Sequence, residues 1–131
     1  MYVLKFTSEA LADIKTIPRH LKGPLIKRAL LQKVAVEPNA RSRELRGELN
    51  EYRSFTWREY RVVYRVFDDL KAVAVVGLGL RSGQSKENIY RRLETLARTG
   101  KLAQGMLFSL RGFTKSDASK RRGGEDYRLS V

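Results

Sequence analysis

The chain has 131 residues, enough for one domain with a modest core, and carries 27 Lys and Arg against 14 Asp and Glu, a net charge of +13. An excess of that size on a small protein points to a polyanionic partner, with nucleic acid ahead of a membrane surface. No cysteine and one histidine, His20, exclude a disulfide framework, a thiolate or histidine metal site and a paired-histidine ribonuclease mechanism, and no cofactor is expected.

Residues 2–6 set Tyr2, Leu4 and Phe6 against Val3 and Lys5, the alternation of a short strand. Ser8 can cap a helix with Glu9 in its first turn and Ala10, Leu11, Ile14 and Ile17 as its apolar stripe, stopped by Pro18. Pro24 suits the first turn of a second helix, in which Leu25, Ile26, Ala29, Leu30 and Val34 recur at helical spacing until Pro38. Its Lys22, Lys27, Arg28 and Lys33 face outward and read as a solubilising surface. Residues 41–51 form a charged loop. Three strands follow, residues 52–57, 60–67 and 72–78, joined by turns at Arg58-Glu59 and Asp68-Asp69. The last is almost wholly apolar, so it is expected to be central. Residues 86–98 read as a helix with Ile89, Leu93 and Leu96 on one side.

These elements make an α+β fold, β-α-α-β-β-β, with two N-terminal helices on one face of a small, mainly antiparallel sheet, the other face open, and a C-terminal helix and basic tail beyond. The expected division is a domain of residues 1–99 and a basic extension of residues 100–131. In the extension Leu102, Met106, Leu110 and Phe113 share a helical face, but Gly105 and Gly112 weaken that helix. The polar stretch from residue 114, with Lys120-Arg121-Arg122, is expected to be partly disordered. Residues 1–7 lack the charged start and long apolar core of a signal peptide, and the longest apolar run is far too short to span a bilayer. A cytoplasmic location without membrane contact is expected.

Strand alternation sorts the residues that follow the Arg58-Glu59 turn. Tyr60, Val62, Tyr64 and Val66 share one side and suit a core, which leaves Arg61, Val63 and Arg65 on the other. A partly shielded arginine usually meets an anion, although a plain solvated strand face produces the same pattern. If the turn has two residues, Trp57 pairs with Tyr60, Phe55 and Trp57 join the core face with Arg53 on their side, and Tyr52, Ser54 and Thr56 flank Arg61. A bulge would instead bring Arg53 beside Arg61 and expose two aromatic rings. Burial favours the first register.

Leu45-Arg46-Gly47, the Tyr60-Arg61-Val62-Val63-Tyr64-Arg65-Val66 run, and Gly79-Leu80-Arg81 followed by Tyr90 together resemble the RelE/ParE superfamily of toxins from type II toxin–antitoxin modules, over roughly residues 2–98. The resemblance implies a toxin neutralised by a cognate antitoxin. In the RelE-like branch it implies metal-independent endoribonuclease cleavage of mRNA at the ribosome; in the ParE-like branch, inhibition of DNA gyrase. A basic RNA-binding module without toxicity is the remaining alternative. By the RelE-like pattern Arg61 and Arg81 contact the scissile phosphate, Tyr90 transfers a proton or stacks on a base, and Arg53 supplies one of two basic residues on the preceding strand; Phe55 stands where the second would be. Arg46, Arg65, Lys86 and Tyr52 are the expected RNA-binding residues around them, with Tyr52 a second candidate for proton transfer.

Overall fold

The computed structural model describes residues 1–81 and 88–113, so Lys86 and the Lys120-Arg121-Arg122 cluster lie outside the described residues. Strand β1 is Val3–Phe6 and helix α1 is Ser8–Thr16. Helix α2, Arg19–Pro24, passes directly into a π-wound segment, Leu25–Val34. The short strand β2, Arg43–Glu44, and a 3-10 turn at Gly47–Leu49 precede β3, Arg53–Trp57; then come β4, Tyr60–Phe67, and β5, Ala72–Leu80. Two further helices, α3 at Ile89–Arg98 and α4 at Lys101–Ser109, complete the described chain.

The sheet order is β1-β5-β4-β3-β2, with β1 parallel to β5 and every other pair antiparallel. β5 is therefore internal, as its apolar run requires: Ala72 through Leu78 are all buried. Trp57 pairs with Tyr60, Phe55 with Val62 and Thr56 with Arg61, which is the aromatic-inward register. Phe55, Tyr60, Val62, Tyr64, Val73, Val75 and Leu78 form one apolar layer with Ala10 and Ile14 of α1 and Leu25, Ala29, Leu30 and Val34 of the π-wound segment. A register shift between β4 and β5 at Val63/Tyr64 places one extra residue, Val76, in β5.

Several local expectations need correction. Thr7, not Ser8, caps α1: the helix begins at Ser8, one residue earlier than a Ser8 cap implies, and the Thr7 hydroxyl accepts the Ala10 N–H at 3.1 Å. The second helix begins at Arg19, so Pro24 lies inside it and not in its first turn. The charged loop is partly ordered. Gly47 takes φ 65°, a left-handed turn that favours glycine, and tucks the buried Leu49 under the sheet.

The larger correction concerns the face expected to be open. Val63, Ala72, Ala74 and Val76 face a second apolar layer made with Ile89 and Leu93 of α3, Leu102 and Met106 of α4, and Leu110. Both faces of the sheet are covered by helices. Gly105 does not stop α4, because the stripe Leu102, Met106 and Leu110 gains more from burial than one glycine loses in helix propensity.

Candidate functional site

Arg61 lies on the α3 side of β4, half-buried, opposite Thr56 of β3 and Gly79 of β5. Its guanidinium turns back along the strand, and Nη1 donates to the Tyr60 carbonyl at 3.2 Å. That aims it at the Arg58-Glu59 turn, the end of the sheet from which Arg81 emerges. Leu80 pairs with Tyr60, so Arg81 follows at the tip of the strand next to Arg61, and it is exposed.

The first turn of α3 crosses above the same strands. Asn88 caps the helix by accepting the Tyr90 N–H at 2.9 Å. The helix can approach because Gly77 and Gly79 present no side chain: a Cβ on Gly77 would lie 2.9 Å from Leu93 Cδ2, and one on Gly79 3.6 Å from Ile89 Cβ. The half-buried Tyr90 reaches the Arg61 side of the sheet, its hydroxyl 2.7 Å from the Ser54 Oγ of β3. Ser54 is two residues from Thr56, the partner of Arg61. Strand register brings Arg61 and Arg81 to one end of the sheet, and α3 carries Tyr90 over the same face, its hydroxyl at Ser54, two residues further from that end than Thr56. Neither Arg61 nor Arg81 forms an ion pair with a described residue.

The other predicted residues lie elsewhere. Arg53 is on the opposite face, beside Phe55 and Trp57, and its donors are occupied. Nε gives a hydrogen bond to the Ser42 Oγ at 2.6 Å, Nη2 to the Asn39 and Ser42 carbonyls at 3.0 Å each, and Nη1 lies 3.4 Å from Glu44. This arginine pins residues 39–44 to the sheet. Arg65 shares the face of Arg61 but sits toward the far end of β4, paired with Glu51 at 3.2 Å and stacked on Phe67. Tyr52 is buried under α4, with its hydroxyl 3.8 Å from the Met106 sulfur, and burial pushes its pKa above the ordinary tyrosine value. Arg46 is exposed at the turn before Gly47.

A partly buried ion pair beside this end of the sheet was not expected from the sequence. Asp13 of α1 accepts the Leu78 N–H at 2.9 Å and pairs with Arg92 of α3 at 2.9 Å. Burial pushes the Asp13 carboxyl up, while the Arg92 guanidinium and the Leu78 N–H oppose that push. A polar residue inside the apolar stripe of α1 was the available signal, since Asp13 directly precedes Ile14. Among the described residues no group of three or more His, Asp or Glu is placed to hold a metal ion, and no helix is long and apolar enough to cross a membrane.

The profile of the ParE toxin of type II toxin–antitoxin systems, parDE, matches residues 4–85. The chain belongs to the ParE toxin family. Solved structures place this ParE-family chain in the wider RelE/ParE superfamily. The RelBE2 toxin–antitoxin complex from Mycobacterium tuberculosis matches at 26% identity and TM-score 0.57, over 61% of this chain and 91% of the other. The intact Escherichia coli RelBE complex matches at 27% identity and TM-score 0.53, over 63% and 99%. The isolated E. coli RelE toxin matches at 26% identity and TM-score 0.53, over 76% and 99%. No curated protein sequence matches the chain.

Proposed function

We propose that this ParE-family toxin is a metal-independent endoribonuclease that cleaves mRNA at the ribosome and is held inactive by a cognate antitoxin. The observation that supports the reading is the strand register that brings Arg61 and Arg81 to one end of the sheet, with neither guanidinium paired to a carboxylate among the described residues, and Tyr90 on the same face at Ser54. Similarity to RelE and RelBE toxins supports it.

Cleavage requires the 2′-hydroxyl to lose its proton and attack the adjacent phosphorus while the bond to the 5′-oxygen breaks and that oxygen takes up a proton. The products are a 2′,3′-cyclic phosphate and a 5′-hydroxyl. Arg61 and Arg81 suit the charge that builds on the non-bridging oxygens, because guanidinium forks match phosphate geometry and preorganised donors contribute roughly 10²- to 10³-fold each. Arginine stays protonated and does not serve as the base. Tyr90 is the candidate proton-transfer group on the Arg61 face, with Ser54 orienting its hydroxyl. Arg53 is left out of the active site because it lies on the other face with its donors engaged.

A gyrase-inhibiting reading has one specific observation in its favour, the match to the ParE profile itself. Expression in bacteria separates the two. Site-specific breaks in translated messages are expected, and Arg61→Ala and Arg81→Ala should each lower cleavage by about 10²-fold or more without loss of fold. Trapped gyrase–DNA complexes without message cleavage would overturn the nuclease reading.

A further inference from the structure

The part of β5 that leads to Arg81 runs past the end of its outer neighbour. β1 stops at Phe6, opposite Val75, so from Val76 onward the outer edge of β5 faces α1 and its cap rather than a strand. Its backbone groups need other partners. The Thr7 hydroxyl donates to the Val76 carbonyl at 3.4 Å, and Asp13 Oδ2 accepts the Leu78 N–H at 2.9 Å. The same carboxylate is gripped from the other face of the sheet: Arg92 Nη1 lies 2.9 Å from Oδ1 and Nη2 2.9 Å from Oδ2, a two-pronged pair, with Glu9 3.6 Å from Nη1. On its way round the edge the guanidinium covers Gly79, where a Cβ would stand 3.8 Å from Arg92 Nη2. Gly79 is the residue opposite Arg61.

We propose that Asp13 and Arg92 form a clasp that joins α1 to α3 around the edge of β5 and fixes the Arg81-bearing strand end, and the start of the helix carrying Tyr90, against Arg61. The proposal rests on the functional reading above, in which Arg81 must meet a phosphate already held by Arg61. Both residues are positioning residues, since the Asp13 oxygens are buried and already engaged. An apolar contact could bring the two helices together equally well, but it could not accept the Leu78 N–H or set the direction of the chain beyond it. A strand end without edge partners opens locally long before the molecule unfolds. Each such opening moves Arg81, the last residue of the run, furthest from its place.

Amide hydrogen exchange read by NMR, with growth arrest on expression and mRNA cleavage, tests this on the full chain carrying Asp13→Leu, Arg92→Met, or both. Exchange at Leu78 and Gly79 should rise at least tenfold in each variant while Val63 and Val73 stay within about twofold. Activity should fall at least tenfold, the double variant should be no worse than either single one, and Arg92→Lys should recover part of the loss. Exchange that rises equally at Val63 and Val73, or not at all at Leu78, overturns the clasp. So does local opening with activity intact in a chain that Arg81→Ala inactivates. If the unmodified chain arrests growth equally well with Arg81→Ala, the functional reading fails by itself, and the exchange pattern still decides whether the pair holds the strand end.

Discussion

Two arginines with similar sequence surroundings, Arg53 and Arg61, show how position decides what a cation does. Each sits on a strand among aromatic and β-branched residues, but Arg53 shares its face with Phe55 and Trp57 and spends its donors on Ser42, Asn39 and Glu44, whereas Arg61 gives one Nη to a nearby carbonyl and pairs with no carboxylate among the described residues. Arg53 is thus a structural group with its side chain only 19% exposed. Replacing it by methionine keeps the aliphatic stem and leaves the Asn39 and Ser42 acceptors without their donor. A loss of about 1–3 kcal/mol is expected in urea unfolding, since partly buried acceptors go unpaired. Cleavage per folded molecule should stay near that of the unmodified chain. Arg61→Ala should do the reverse, with stability changed by no more than about 0.5 kcal/mol and activity lost. Activity abolished in folded Arg53→Met would return Arg53 to the catalytic group.

Among the secondary-structure elements, two glycines carry opposite meanings. Gly77 lies in β5 under α3, and a Cβ there would meet Leu93 Cδ2 at 2.9 Å and Ile89 Cδ1 at 3.3 Å, both on fully buried side chains. Gly77→Ala should cost about 1–3 kcal/mol by overpacking and lift the first turns of α3 from the sheet. Gly105 lies within α4, where a Cβ would stand 3.8 Å from Thr7, an ordinary contact. Gly105→Ala should stabilise by about 0.5–1 kcal/mol, because it removes unfolded-state freedom without a clash. Thermal unfolding of both variants checks the contrast, and a stabilised Gly77→Ala would contradict the packing described. The strands were legible because their signal is local: the alternation around Arg61 and two aromatic rings beside a two-residue turn leave one register that buries the rings. The helical cover of the second face was legible only in the shared apolar face of Leu102, Met106 and Leu110, because Gly105 argues against a helix in isolation and only burial in the second layer outweighs it. Arg53's partners arrive from residues 39–44, and Asp13 and Arg92 are 79 residues apart, so neither contact leaves a local trace. The strand register that sets Arg61 opposite Gly79 follows from strand order, whereas the partners of Arg53 do not.

For the molecule as a whole, the covered second face makes residues 100–113 part of the folding unit. Leu102, Met106 and Leu110 are each at most 9% exposed against the layer formed by Tyr52, Val63, Ala74 and Val76. At roughly 1.5–3 kcal/mol for each large apolar side chain fully buried, their loss removes on the order of 5 kcal/mol. That is comparable with the whole net stability of a small domain, about 5–15 kcal/mol. A chain ending after Thr99 should therefore melt far below the full-length protein and bind a hydrophobic dye, because the apolar layer that packs on Leu102, Met106 and Leu110, Tyr52 among it, would lose that cover. A chain ending after Phe113 keeps every one of these contacts and should melt within a few degrees of the full-length protein. Thermal unfolding and dye binding on the two truncations separate the contribution of α4 from that of residues 114–131. A fully stable chain of residues 1–99 would mean that the sheet tolerates a partly open face after all and that burial of Leu102, Met106 and Leu110 adds little to the net stability.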